Sequence, residues 1–100
     1  MAWVRLANMD DLQDEILACE QGDEQIALFL VDGEVYAAGN VCTHDYALLT
    51  DGFLEDGCIE CPLHAARFDV RTGEVQCGPA KDHLKVYPVE IRGDEVWVDV

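Results

Sequence analysis

A chain of 100 residues with a formal net charge of −15 fits one domain built on one modest core. Such acidity excludes nucleic acid and anionic lipid as partners, and no apolar run approaches the ~20 residues of a membrane-spanning helix. The opening residues, Met1-Ala2-Trp3-Val4-Arg5, lack the basic region and apolar run of a signal peptide, so a cytoplasmic protein is expected. In that compartment an odd set of five cysteines points to metal binding rather than a disulfide framework.

In chain order the pattern is β-rich. Trp3, Val4, Arg5 and Leu6 suit a strand. Asn8 is a good cap for a single short helical turn carrying Met9 and Leu12. Residues 25–31 and 34–38 flank Asp32-Gly33, a two-residue hairpin signal. Residues 39–80 differ: they hold four of the five cysteines, two of the three histidines and two prolines, with few long apolar runs. They read as an inserted subdomain of irregular loops that a metal centre would hold together. Beyond them Tyr87, Val89 and Ile91 alternate with polar residues as one strand. Gly93-Asp94 makes a turn, and Val96, Val98 and Val100 alternate as a last strand. The expectation is an all-β, single-domain protein spanning 1–100. An antiparallel platform, sandwich- or barrel-like, comes from residues 1–38 and 81–100, with a loop-rich insert of residues 39–80.

Two motifs in the insert carry chemistry: Cys42-Thr43-His44 and Cys61-Pro62-Leu63-His64, with 16 residues between His44 and Cys61. Each offers a thiolate and an imidazole on one turn. Facing each other, two such turns present two sulfurs to one metal and two nitrogens to its neighbour, the division a Rieske [2Fe–2S] centre requires. The same four residues also make a Cys₂His₂ zinc set, giving a zinc-stapled interaction module without redox chemistry. A third set is Cys42, Cys58, Cys61 and Cys77, spaced by 15, 2 and 15 residues, which suits a four-thiolate cluster or a zinc ribbon. It leaves both histidines unexplained, and Cys58-Ile59-Glu60-Cys61 reads as strand, where residues three apart face opposite ways. Cys19, Cys58 and Cys77 are therefore expected to pack as small apolar residues, and His83 to be a surface or partly packed histidine. Arg67 and Arg71 are expected to pair with Asp69 or Glu74.

Nearly the whole chain resembles the Rieske family, specifically the soluble ferredoxins of bacterial ring-hydroxylating dioxygenase systems. Beyond the two cysteine–histidine motifs, the resemblance runs through Asp32-Gly33-Glu34-Val35-Tyr36-Ala37, Leu49-Thr50-Asp51-Gly52, Arg67-Phe68-Asp69, Arg71-Thr72-Gly73, Gly78-Pro79-Ala80 and residues 84–89. It implies a Rieske fold and one [2Fe–2S] cluster on Cys42, His44, Cys61 and His64, with Gly78-Pro79 covering the cluster. Cys42 and Cys61 would hold the inner iron, and both histidines would lie at the exposed tip, near Tyr46 and Leu48. Respiratory relatives join the two cluster loops by a disulfide, where this chain has Ala47 and Leu63. They also donate hydrogen bonds to cluster sulfur from a Ser and a Tyr, where this chain has Ala66 and Phe68. Those bonds favour the reduced cluster, so their loss lowers the potential. Asp45, Glu60 and Asp69 act in the same direction. One charge ~10 Å away contributes about 1.7 kcal/mol at an effective dielectric of 20, roughly 70 mV before solvent screening. A potential at the low end of the Rieske range, about −150 mV, is expected.

A catalytic oxygenase needs a second iron on two histidines and a carboxylate; beyond His44 and His64 only His83 remains. No G-x-G-x-x-G motif for a nucleotide cofactor is present. The resemblance thus implies a monomeric electron carrier rather than an enzyme. Its partners would be a flavin-containing, NAD(P)H-dependent ferredoxin reductase and a terminal Rieske oxygenase of aromatic compound degradation. A Rieske subunit of another reductase system is the alternative within the family.

Overall fold

The computed structural model describes residues 2–43, 47–63, 66–78 and 82–100. Three open antiparallel sheets make up the fold. β1 (Trp3–Asn8), β10 (Val89–Arg92) and β11 (Glu95–Asp99) form one, in the order β1-β11-β10. β2 (Ile16–Gln21), β3 (Glu24–Val31), β4 (Glu34–Gly39) and β9 (Val86–Tyr87) form a second, in chain order. β5 (Phe53–Glu55), β6 (Cys58–Glu60), β7 (Arg67–Asp69) and β8 (Val75–Cys77) form the third. The short turn expected after Asn8 is a 3-10 turn over Met9–Leu12, whose entry is tied by the Asn8 backbone N–H on Asp11 Oδ2 at 3.0 Å.

The second sheet is the middle layer, which explains why β3 is apolar throughout instead of alternating. Ile26 and Leu28 face a core shared with Ala7, Leu12, Val96 and Val98. Ala27, Phe29 and Val31 face the opposite core, shared with Leu49, Ile59, Phe68 and Val70. A strand buried on both faces reads as a continuous apolar run. Asp32 and Gly33 have φ of 52° and 81°, the left-handed pair of a type I′ turn, so β3 and β4 form the expected hairpin.

The structure corrects the sequence reading in three places. Residues 39–80 are not loops alone. They carry the third sheet, whose Leu54, Ile59, Phe68 and Val75 lie on one face and pack with β3, so apolar packing holds them. Tyr87, Val89 and Ile91 do not share a strand: Tyr87 pairs with Ala37 in the middle sheet, whereas Val89 pairs with Val98 in the first. The switch falls at Pro88, which has no N–H to donate to a ladder and instead accepts from Asp99 at 3.1 Å. Strand β2 was not foreseen, although its turn is Gly22-Asp23 (φ 61° at Gly22), the same pair as at Gly93-Asp94; Glu20 and Gln21 beside that turn leave its 16–21 run without a clear apolar alternation.

Candidate metal centre

Cys42 and Cys61 each stand at the base of a tight loop, and the two loops close alike. The Cys42 N–H donates to the Ala47 carbonyl at 2.9 Å, and the Cys61 N–H donates to the Ala66 carbonyl at 2.7 Å. In both, the cysteine bonds the residue five positions on, so the two loops share one closure. Both cysteines are almost fully buried, at 4% and 1% exposure, and belong to one apolar core with Ala66, Phe68 and Leu84. Loops rising from the middle layer and from the third sheet thus bring the two sulfur-bearing residues into one water-poor setting. His44 and His64 sit within the two loops in sequence and lie outside the described residues, as do the expectations for Asp45, Tyr46 and Pro79.

The base of the first loop is the most heavily hydrogen-bonded part of the region. Asn40 is the only buried polar or charged side chain among the described residues. Its Nδ2 donates to Thr50 Oγ1 and its Oδ1 accepts the Thr50 N–H, both at 3.0 Å. Its carbonyl accepts from Leu49 and its own N–H reaches Gln25, so each of its polar atoms has a partner. Thr43, inside the Cys-x-His motif, donates its hydroxyl to the Asp82 carbonyl at 2.7 Å. The segment after residue 81 is further tied by Leu84 N–H on Gly73 O at 2.8 Å and by the Val75 N–H on His83 Nδ1 at 3.1 Å. Sequence reasoning missed Asn40 and Thr43. Neither residue type signals a role in a motif scan, because what matters is which backbone groups the fold leaves beside it.

The four-cysteine set is not assembled. Cys42, Cys58, Cys61 and Cys77 are all described, yet no metal-binding cluster of His, Cys, Asp or Glu forms among the described residues. Cys58 pairs with Asp69 and Cys77 with Arg67, so both lie on the outward face of the third sheet, away from its apolar side. This also corrects the expectation for Cys77, which is exposed rather than packed. Cys19 does pack against the other core, its Sγ 4.0 Å from the Leu6 carbonyl oxygen, and burial together with the Asp11 carboxylate pushes its thiol pKa up. His83 is exposed, as expected. Arg71 pairs with Asp32 at 3.4 Å, not with Glu74, and takes only a backbone bond to Asp69. Arg67 Nε is buried with no hydrogen-bond partner among the described residues, so its expected pairing is not seen. Leu63, one of the positions matching the absent disulfide, is 56% exposed.

A family model for the Rieske [2Fe–2S] domain matches residues 2–88, and the chain belongs to that family. The ferredoxin component of the naphthalene 1,2-dioxygenase system of Pseudomonas aeruginosa is 41% identical over 99 residues, which are 98% of this chain and 95% of that protein. The solved ferredoxin of Sphingomonas yanoikuyae B1 superposes with a TM-score of 0.93 at 38% identity over 99% of both chains. A chain of the complex of reduced oxygenase and oxidized ferredoxin in carbazole 1,9a-dioxygenase superposes with a TM-score of 0.90 at 34% identity, covering 96% of this chain and 91% of that one. The fold is therefore a Rieske fold, and the cofactor is one [2Fe–2S] cluster. The residues present fit that group: two buried cysteines on matching loops supply the soft sulfur donors that iron–sulfur clusters select.

Proposed function

We propose that this protein is the ferredoxin of a ring-hydroxylating oxygenase system, holding its [2Fe–2S] cluster on Cys42, His44, Cys61 and His64. The observation that carries the reading is the matched pair of loops, each closed by a cysteine N–H on the carbonyl five residues on, with Cys42 and Cys61 in one core. In this proposal residues 39–80 are the cluster-binding subdomain, residues 1–38 and 81–100 the platform, and the chain acts as a cytoplasmic monomer. When bound, the cluster supplies a one-electron couple whose potential imidazole ligation raises above that of all-cysteine clusters.

The chain's own residues do the rest. Cys42 and Cys61 hold the inner side of the site where Phe68, Ala66 and Leu84 exclude water. His44 and His64 would supply the two imidazole ligands, whose free ring edges could meet a partner. Ala66 and Phe68 offer no hydroxyl to sulfur, which keeps the potential near the low end of the Rieske range. The protein accepts one electron at a time from a flavin-containing, NAD(P)H-dependent ferredoxin reductase and delivers it to a terminal oxygenase. It catalyses no reaction of its own. The names of its relatives, among them a ferredoxin seen with its oxygenase, support this role.

Reconstitution tests the assignment. With a reductase and a terminal oxygenase of a naphthalene-type system, the purified protein should support NAD(P)H-dependent hydroxylation, and omitting it should abolish turnover. A cluster-loaded protein that the reductase never reduces would place it in another reductase system instead.

A further inference from the structure

The turn around Leu49–Asp51 joins the bases of both cysteine loops, and its contacts suit it to a task beyond connecting strands. On one side it is locked to the first loop. Thr50 exchanges two 3.0 Å hydrogen bonds with the buried Asn40 side chain, and Leu49 donates to the Asn40 carbonyl at 2.8 Å. Asn40 lies two residues before Cys42, and Val41 bridges Leu48 between them. On the other side the turn presses on the second loop. A Cβ at Gly52 would stand 1.9 Å from the Glu60 carbonyl oxygen, and Glu60 immediately precedes Cys61. Gly52 has φ of −94°, so its backbone conformation does not call for glycine; only this close approach does.

We propose that residues 49–52 are a spacer that sets the separation of the two cysteine loops, with Asn40, Thr50 and Gly52 as positioning residues for Cys42 and Cys61. The proposal rests on the cluster assignment above. A group bridging two loops tolerates little change in their spacing, because metal–sulfur bond lengths are fixed. No disulfide clamps the loops here, since Ala47 and Leu63 occupy the positions such a clamp would use. A rigid spacer beneath the loops does the same work from inside the core. Asn40 meets the requirement because its amide is planar, wholly buried and satisfied at both ends, so the contact has one geometry.

The test compares Thr50→Val, Thr50→Ser and Gly52→Ala with a remote control, Val96→Ala, which lies in the other core. Each loaded protein is measured for its reduced EPR g values, its midpoint potential and its rate of chromophore loss to an iron chelator. Thr50→Val leaves Asn40 Nδ2 buried without an acceptor, which should speed chromophore loss about tenfold and shift both the g values and the potential. Thr50→Ser keeps the hydroxyl and should restore the native values. Gly52→Ala should act in the same direction more strongly, or fail to load. Val96→Ala should lower the unfolding temperature yet leave the g values and potential where they are. If Thr50→Val behaves like Val96→Ala, losing stability with native g values and potential, Asn40 and Thr50 are ordinary core contacts and the spacer proposal is overturned. A wild-type protein without the histidine-type signal overturns the cluster assignment itself, and the spacer with it.

Discussion

Phe68 is where one atom should tune the protein. It is fully buried in the core that holds Cys42 and Cys61, and its ring carries no donor. Phe68→Tyr adds a hydroxyl at a position where respiratory relatives carry a Tyr that bonds cluster sulfur. About 1–2 kcal/mol of preferential bonding to the reduced form would raise the midpoint by roughly 40–90 mV, read by redox titration. An unchanged midpoint would mean the ring edge points away from sulfur. A second residue-scale effect concerns alkaline pH. Burial first, then the Glu24 carboxylate that accepts its hydroxyl at 3.2 Å, raise the Tyr87 pKa above its ordinary 10.0. The folded state therefore favours protonated Tyr87, and the unfolded chain loses that proton first. This contribution is complete below the ordinary value and is lost as pH rises through and beyond it. Melting curves from pH 8 to 11 should show a falling midpoint above about pH 10, and Tyr87→Phe should flatten that fall.

At the scale of elements, Cys58 and Cys77 separate the competing ligand sets. Both sit on the outward face of the third sheet, so Cys58→Ser and Cys77→Ser should keep full iron, sulfide and visible absorbance. Loss of the chromophore in either would return the four-cysteine set to contention. Legibility from sequence divides at this scale too. Asp32-Gly33 announced its hairpin because long apolar runs flank it. Asp56-Gly57, with φ of 53° and 78°, makes the same left-handed pair between β5 and β6, yet those strands are three residues each and show no periodicity to notice. Asp51-Gly52 carries the same letters and is no such turn; its glycine answers to a neighbouring carbonyl that only the fold supplies. That Cys42 and Cys61 belong together was legible because the two cysteine–histidine motifs repeat one pattern, and the fold puts both cysteines in one core. Asn40, Thr43 and the break at Pro88 depend on which distant backbone groups end up alongside, which no local pattern encodes.

The molecule as a whole is a stack of three sheets, 38 × 27 × 19 Å with a Cα radius of gyration of 12.5 Å, close to the roughly 13 Å expected for 100 residues. Its basic side chains are few and mostly engaged. Arg5 pairs with Glu95 and Arg71 with Asp32. Arg92 pairs with Glu90 and lies 4.3 Å from the Trp97 ring. Lys85 lies over Tyr87. The uncompensated acidity of the surface suits brief, steered encounters with basic docking patches. If the proposed reductase partner holds, reduction by a flavin-containing ferredoxin reductase should slow markedly between ~10 mM and ~0.5 M salt, as screening shortens the reach of that field. A rate flat across the range would remove steering and leave the carrier role intact. The proposed function rests on a division of ligands, two cysteine sulfurs on one iron and two imidazoles on the other. The direct measurement is the EPR spectrum of the dithionite-reduced protein, taken with iron, sulfide and zinc content. A rhombic signal with the low average g value of a histidine-ligated [2Fe–2S] centre, with two irons and two sulfides per chain, is the expected result. A colourless zinc protein, or the higher average g value of an all-cysteine cluster, would contradict the account at its centre.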